Sequence, residues 1–384
     1  MNEKQKIRTG HSCAETAAAA VAEFDEQVRQ PAMALVLFFC SSAYDLPAVA
    51  AEMNRRFAGT TVVGCTTAGE IGPAGYRGRS ISGMSFPAGA CTAVAAGIDG
   101  LQSFEIAAGR DFAQDLLGRL EQLTPQADAR NSFGLLLIDG LSMREEPVTH
   151  ALQDGLGSIR MIGGSAGDDL KFERTWVFHD GAFHGDSAAL VLVSTEFPFR
   201  IVKTQHFVSD GERMVVTEVD AARRVVKEIN GLPAIEEYGR IVGVPAASLM
   251  PSHFAAWPVV VMIDGTDFVR SIQHANPDGS LTFYCAIDEG VVLRVARGKD
   301  LLGRLENTID ELRADLGGLQ AMLVCDCILR NLEAERDGSK EAVGELFRRN
   351  NAVGFATYGE QFGGVHVNQT LTGIAIGLGA IADD

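Results

Sequence analysis

No basic run, no CxxC pair and no uncharged stretch of about 18 apolar residues occurs in the 384-residue sequence. Each absence removes a class of function. The formal net charge is −17, so a nucleic-acid backbone or an anionic lipid surface is not an expected partner. Without a long apolar run, no helix is expected to span a membrane. The seven cysteines are scattered and odd in number, which argues against a disulfide framework. The first twenty residues, MNEKQKIRTGHSCAETAAAA, have no leucine-rich core and do not read as a signal peptide. Reduced thiols in a cytoplasmic setting are the simplest expectation. There is no P-loop lysine motif, no Rossmann fingerprint and no low-complexity linker.

Hydrophobic residues make up 46% of the chain, enough for two cores of ordinary size. The spacing predicts two α+β domains, residues 1–198 and 199–384, divided at Glu196-Phe197-Pro198. Each is expected to pack mixed and antiparallel sheets under covering helices. A helix over Cys13–Arg29, capped from Thr9–Ser12, precedes a buried strand at Ala34–Cys40. Further helices are expected at Leu46–Phe57, Pro147–Leu156, Leu301–Leu316 and Lys340–Arg349. A hairpin turns at Asp180-Gly181 and another at Asn230-Gly231.

One wording recurs three times. It reads VVGCTTAGEIG from Val62, MIGGSAGDDLK from Met161 and VGFATYGEQFG from Val353. Leu35 lies 32 residues before Thr67, Leu135 lies 30 before Ser165, and Leu323 lies 34 before Thr357. Similar spacing with a shared [ST]-x-G-[DE] marks an internal repeat of strand, helix, strand, small-residue loop and one or two more strands. Thr67, Ser165 and Thr357 supply hydroxyls; Glu70, Asp168 and Glu360 supply carboxylates. Glycines such as Gly69 let the main chain come close to whatever packs there. These groups either close their own turns or line a polar ligand cleft.

The blocks GCTTAGEIG, IGGSAGDD, INGLPAIEEYG, VCDCILR and YGEQFGGVHVNQT, in this order, resemble the FIST domain family, with N-terminal and C-terminal regions covering nearly the whole chain. The resemblance implies an intracellular sensory module for a small ligand such as an amino acid. A branch of that family, the NosP proteins, implies more: haem b, nitric oxide as gaseous ligand and a sensor histidine kinase as partner in two-component signalling. Homo-oligomerisation is left open.

A haem on this chain would be non-covalent, because CxxCH is absent. His366 is the first choice of axial ligand, with Asn368 and Thr370 expected beside it on one strand face, to orient the ring or meet the distal ligand. In this reading nitric oxide weakens the His366–iron bond and changes the surface offered to the kinase. Tyr358 lies in the same block, and Arg330 is expected to pair with a propionate or with Glu360. His206 and His274 are weaker candidates. His179 and His184 flank the HDGAFH turn, where an exposed turn is the plainer reading and a metal clip the sharper one. Cys325 and Cys327 point to one strand face and read as buried thiols. The second functional reading is a haem-free receptor whose three loops line the cleft. The third is a hydrolase using Ser165. GGSAG spells G-x-S-x-G, but a hairpin rather than a helix is expected after it.

Overall fold

The computed structural model describes residues 6–263 and 265–378. Its core is one unit built three times. The first repeat runs through strand Arg8–Ser12, helix Ala17–Val28, strand Met33–Ser41, helix Leu46–Arg56, strand Thr61–Thr67, hairpin Glu70–Gly72 with Gly75–Arg77, and strand Ile81–Pro87. The second has strand Cys91–Asp99, helix Ile106–Leu123, strand Ser132–Ile138, helix Glu145–Leu156, strand Met161–Ser165, hairpin Val177–His179 with Ala182–His184, and strand Ser187–Thr195. The third opens with strand Phe199–Thr204 and resumes at helix Leu301–Asp315. It continues through strand Leu319–Cys327, two helices (Ile328–Arg336 and Lys340–Arg349), strand Ala352–Thr357, hairpin Glu360–Phe362 with Val365–Val367, and strand Leu371–Gly377. Pro198 thus lies at the junction of the second and third repeats.

In each repeat the first strand pairs with the last, the last with the central strand, and the central strand runs parallel to the third. The sheet is then finished by a hairpin from another repeat. Val177–His184 completes the first sheet, Glu360–Val367 the second, and Glu70–Arg77 the third. The exchange closes a ring: every repeat gives one hairpin and receives one.

The central strands read as unbroken apolar runs because both faces are covered. Leu35, Leu37 and Phe39 point into a shared interior with Leu135, Leu137, Leu323 and Cys325. Val36, Phe38 and Cys40 face the first repeat's own helices. The same alternation sends Leu136 and Ile138 outward under the second pair of helices, and Met322 and Val324 under the third. Strand pairing is tight where glycine stands. A Cβ placed on Gly83 would lie 2.1 Å from the Leu37 carbonyl oxygen.

Two expectations change here. Thr9–Ser12 is not a helix cap: Arg8–Ser12 is a strand paired with Ile81–Ser85, and Thr16 caps the first helix by accepting from the Ala19 amide at 3.3 Å. The cap falls four residues later because the short strand has a partner some 70 residues away, which local spacing does not reveal. Residues 207–298 are not part of the third repeat's own sheet. They form an inserted eight-stranded sheet with helices Ala234–Val242 and Pro251–Ala256, between strand Phe199–Thr204 and helix Leu301–Asp315. The inserted sheet covers its own core of Met214, Val226, Tyr238, Phe254 and Leu293.

Candidate functional site

The three echoing loops do meet. The Ala68 amide donates to the Ala356 carbonyl at 3.0 Å and the Ala356 amide to that of Gly69 at 2.7 Å. The Gly167 amide donates to Thr66 at 3.0 Å and the Asp169 amide to Thr67 at 3.0 Å. The Ser165 amide donates to Gly359 at 2.8 Å and the Tyr358 amide to Ser165 at 3.1 Å. These contacts form a closed backbone ring. It fills the middle of the fold with main chain, so the loops pack on one another instead of walling an open cleft.

Their side chains turn inward accordingly. Thr67 hydrogen-bonds Glu70, whose other carboxyl oxygen accepts from the Ser80 amide at 3.1 Å and hydroxyl at 2.7 Å. Thr357 hydrogen-bonds Glu360, and the Thr370 amide donates to the second oxygen at 3.2 Å. Both acids are fully buried. Burial pushes Glu70 up to about 8, against the pull of the Thr67 and Ser80 hydrogen bonds. Burial also raises Glu360 well above the carboxylate range. At neutral pH Glu70 is mainly protonated, and burial biases Glu360 toward its neutral form as well.

Asp168 departs from this pattern. It accepts the amides of Phe172, Glu173 and Arg174 at 2.9, 2.7 and 2.9 Å, together with the Tyr358 hydroxyl. Burial opposes its charge, but Tyr358 and these amides prevail and hold it below its ordinary value. Its job is to fasten the 169–175 loop, in which Asp169, Leu170 and Phe172 all take positive φ. That loop carries Phe172 onto Tyr358, ring centroids 4.8 Å apart.

The other expected site residues lie as follows. His366 is on the strand Val365–Val367 and 1% exposed. Gln361 donates to its Nδ1 at 3.2 Å, while its Nε2 has no partner among the described residues. Burial lowers it to about 4, so the ring is neutral. Asn368 and Thr370 do not share a strand face with it. Residues 368–370 are the turn between two strands, with Gln369 at φ 47, so the strand alternation drawn from the sequence ends at Val367. Arg330 does not reach Glu360. It is held by Asp326 at 2.6 Å and by His206 Nδ1 at 3.0 Å, and His206 bonds Glu333 at 2.9 Å. Cys325 and Cys327 are buried thiols. Ser165 is buried and accepts from Gln361 at 2.9 Å. The chain after it is a loop and a hairpin, without the helix of a nucleophile elbow.

His366 lines neither cavity at the inserted sheet, and a Cβ on Gly359 would lie 2.7 Å from its Nε2. A macrocycle has no volume there. Arg330 is spent on Asp326, and the Tyr358 hydroxyl on Asp168. These residues do not fit a haem.

Open space lies instead where the inserted sheet meets the repeats. A cavity of about 650 Å³ is walled by Leu141, Phe172 and Tyr358 from the repeats, and by Arg223, Arg224, His274 and Tyr284 from the insert. A second cavity of about 660 Å³ shares Phe172, Gln273, His274 and Tyr284 with it and continues past Leu170, Leu329 and Leu332. Arg224 forms the charged floor. It donates to Glu145 at 2.6 Å, to Glu146 at 2.7 Å and to the Tyr284 carbonyl at 2.5 Å. Burial raises Glu145 to about 7, with Arg224 pulling the other way. Arg223 is exposed at the same wall. Sequence reading missed Glu145, Glu146, Arg223, Arg224, Phe172 and Tyr284. The one local signal was a paired arginine in an acidic chain.

Among the described residues no helix is long and apolar enough to cross a membrane. No curated protein matches the sequence. Among solved structures, a cyanuric acid hydrolase aligns over 97% of this chain and 99% of its own, at 11% identity and a TM-score of 0.36. The FIST N domain matches residues 34–232 and the FIST C domain residues 234–363. The chain therefore belongs to the FIST family of signalling-associated sensor domains.

Proposed function

We propose that this protein is a haem-free receptor for a small amphipathic anion, an amino-acid-like carboxylate, bound between the repeats and the inserted sheet. The observation that carries this is the pair of adjoining cavities, with an aromatic wall of Phe172, Tyr358 and Tyr284 and a charged side where Arg223, Arg224 and Lys227 outnumber Asp220 and Asp278. A cleft with an apolar wall and convergent polar groups, at the junction of two parts of the chain, is a usual form of a ligand site. Arg224 is already neutralised by two carboxylates, so the exposed Arg223 is the group that meets the ligand's charge. Phe172 comes in on a strained loop fastened by Asp168, and strain of this kind gathers at ligand clamps. Because the cavity has walls from both parts, a ligand there ties the insert to the core and alters the surface offered to a signalling partner. In the NosP-like reading that partner is a sensor histidine kinase.

A panel of amino acids and short carboxylates, screened by thermal shift, tests the receptor. A ligand whose shift is lost in Arg223→Glu supports it. A ligand whose shift survives Arg223→Glu and Phe172→Ala together removes the cleft assignment. Haem and nitric oxide sensing is the competing reading, and His274, which borders both cavities, offers it an imidazole in open space. A stoichiometric Soret band abolished by His274→Ala would replace the haem-free receptor with that reading.

A further inference from the structure

The hairpin that the second repeat lends to the first sheet carries a cluster unrelated to the cleft. His179 ends one of its strands and His184 ends the other. Asp99 ends the second repeat's first strand. The Asp99 carboxylate oxygen lies 3.3 Å from His184 Nδ1 and 3.5 Å from His179 Nε2. One ligand atom from each residue falls within 4.8 Å of the others. With metal bonds of about 2.0–2.1 Å, the edge of a tetrahedral ligand shell is about 3.3 Å. The two edges from Asp99 to the histidines already have that spacing.

The surroundings favour the same reading. His179 is 4% exposed, and its Nδ1 lies 3.1 Å from the Asp180 carboxylate. A proton on Nδ1 leaves the Nε2 lone pair facing the cluster, the carboxylate–histidine arrangement that orients metal ligands. That lone pair now meets the Ser187 hydroxyl at 2.9 Å, a hydrogen bond that a metal would displace. His184 Nε2 is buried without a partner among the described residues; its ring now stacks on His179, centroids 4.0 Å apart at 14°, so one imidazole turns when both lone pairs take the same ion. Gly97 makes room for the His179 ring: a Cβ there would lie 2.2 Å from it.

We propose that Asp99, His179 and His184 bind a divalent first-row transition metal, zinc before others. Two imidazoles and one carboxylate suit zinc and leave a fourth position for water, whereas magnesium and calcium prefer all-oxygen shells. Bound there, the ion clips the lent hairpin, seated in the first sheet, to the strand Cys91–Asp99 of the second. It locks one of the three exchanges.

Metal-stripped full-length protein is titrated with zinc chloride by calorimetry, with magnesium chloride as control. The expected result is one zinc per chain and no magnesium uptake. His184→Ala should abolish zinc binding. Asp99→Asn, an exposed and near-isosteric change, should weaken it at least tenfold, and Asp180→Asn by about 10–100-fold. His150→Ala should leave it unchanged. Cobalt in place of zinc should give the visible bands of a four-coordinate site in the wild type and not in Asp99→Asn. Absence of zinc binding in the wild type overturns the proposal. So does affinity unchanged in Asp99→Asn, which also guards against His184→Ala simply misfolding.

Discussion

Glu70→Gln should flatten the fall of stability with rising pH. Glu70 is buried in the loop ring with its carboxyl at about 8, against about 4.3 in an unfolded chain. The folded state keeps a proton that the unfolded chain releases. The contribution of this group is therefore present in full below about pH 4.5 and is lost as pH rises through about 8. Between the two values the slope is about −1.4 kcal/mol per pH unit. Integrated from pH 5 to pH 8, the wild type loses about 3–4 kcal/mol through Glu70 alone. Glutamine keeps an acceptor for the Ser80 amide and a donor toward Thr67, and it does not titrate. It pays a roughly constant penalty of about 1 kcal/mol for its extra N–H. Glu360 shifts in the same direction but is present in both proteins and drops out of the difference. Urea unfolding at pH 5, 6, 7 and 8 measures that difference. The variant should gain on the wild type by several kcal/mol over the series. Parallel curves would refute a protonated Glu70 and, with it, the account of the loop ring as a neutral buried knot.

Removing the floor of the cleft tests another part of the structure. Arg224→Ala leaves Glu145 and Glu146 without their cation and should cost about 3–5 kcal/mol, read by chemical denaturation. Tyr358→Phe takes away the hydroxyl that serves Asp168 and the Leu170 amide at 2.9 Å; a loss of about 1–3 kcal/mol and faster proteolysis within 169–175 are expected. Gly83→Ala drives a Cβ against the Leu37 carbonyl and should cost about 1–3 kcal/mol or more, seen as a lowered melting temperature. Leu137→Ala opens the shared interior and should cost about 2–5 kcal/mol, with the same readout.

The repeat was legible because each copy must leave a doubly buried strand and turn within a crowded centre. That forces small residues, a hydroxyl and an acid into fixed order, and the central strands at Leu35, Leu135 and Leu323 stood out for the same reason. What the copies do with those residues was less visible. Asp168 has the letters of Glu70 and Glu360, yet the segment between it and Val177 gives it three amides to hold instead of a serine or threonine turn. The cleft was missed because its walls come from residues far apart in sequence, such as Leu141, Arg224 and Tyr358. The inserted sheet was missed as an insertion because strand periodicity says nothing about which strands pair. His366, Asn368 and Thr370 looked like one strand because a positive φ at Gln369 leaves no mark in the alternation.

The ring of exchanged hairpins also sets an order of assembly. The second sheet is finished by residues 360–367, about 200 positions after the strand Met161–Ser165 that they flank. A ribosome releasing this chain must emit the whole inserted sheet first, and until then the second sheet keeps a raw edge. The insert, whose pairings lie within 207–298, has no such wait. Chain fragments ending near residue 300 and freed from the ribosome should show a protease-resistant insert beside a still-sensitive second repeat, and resistance of the second repeat in such fragments would contradict this order.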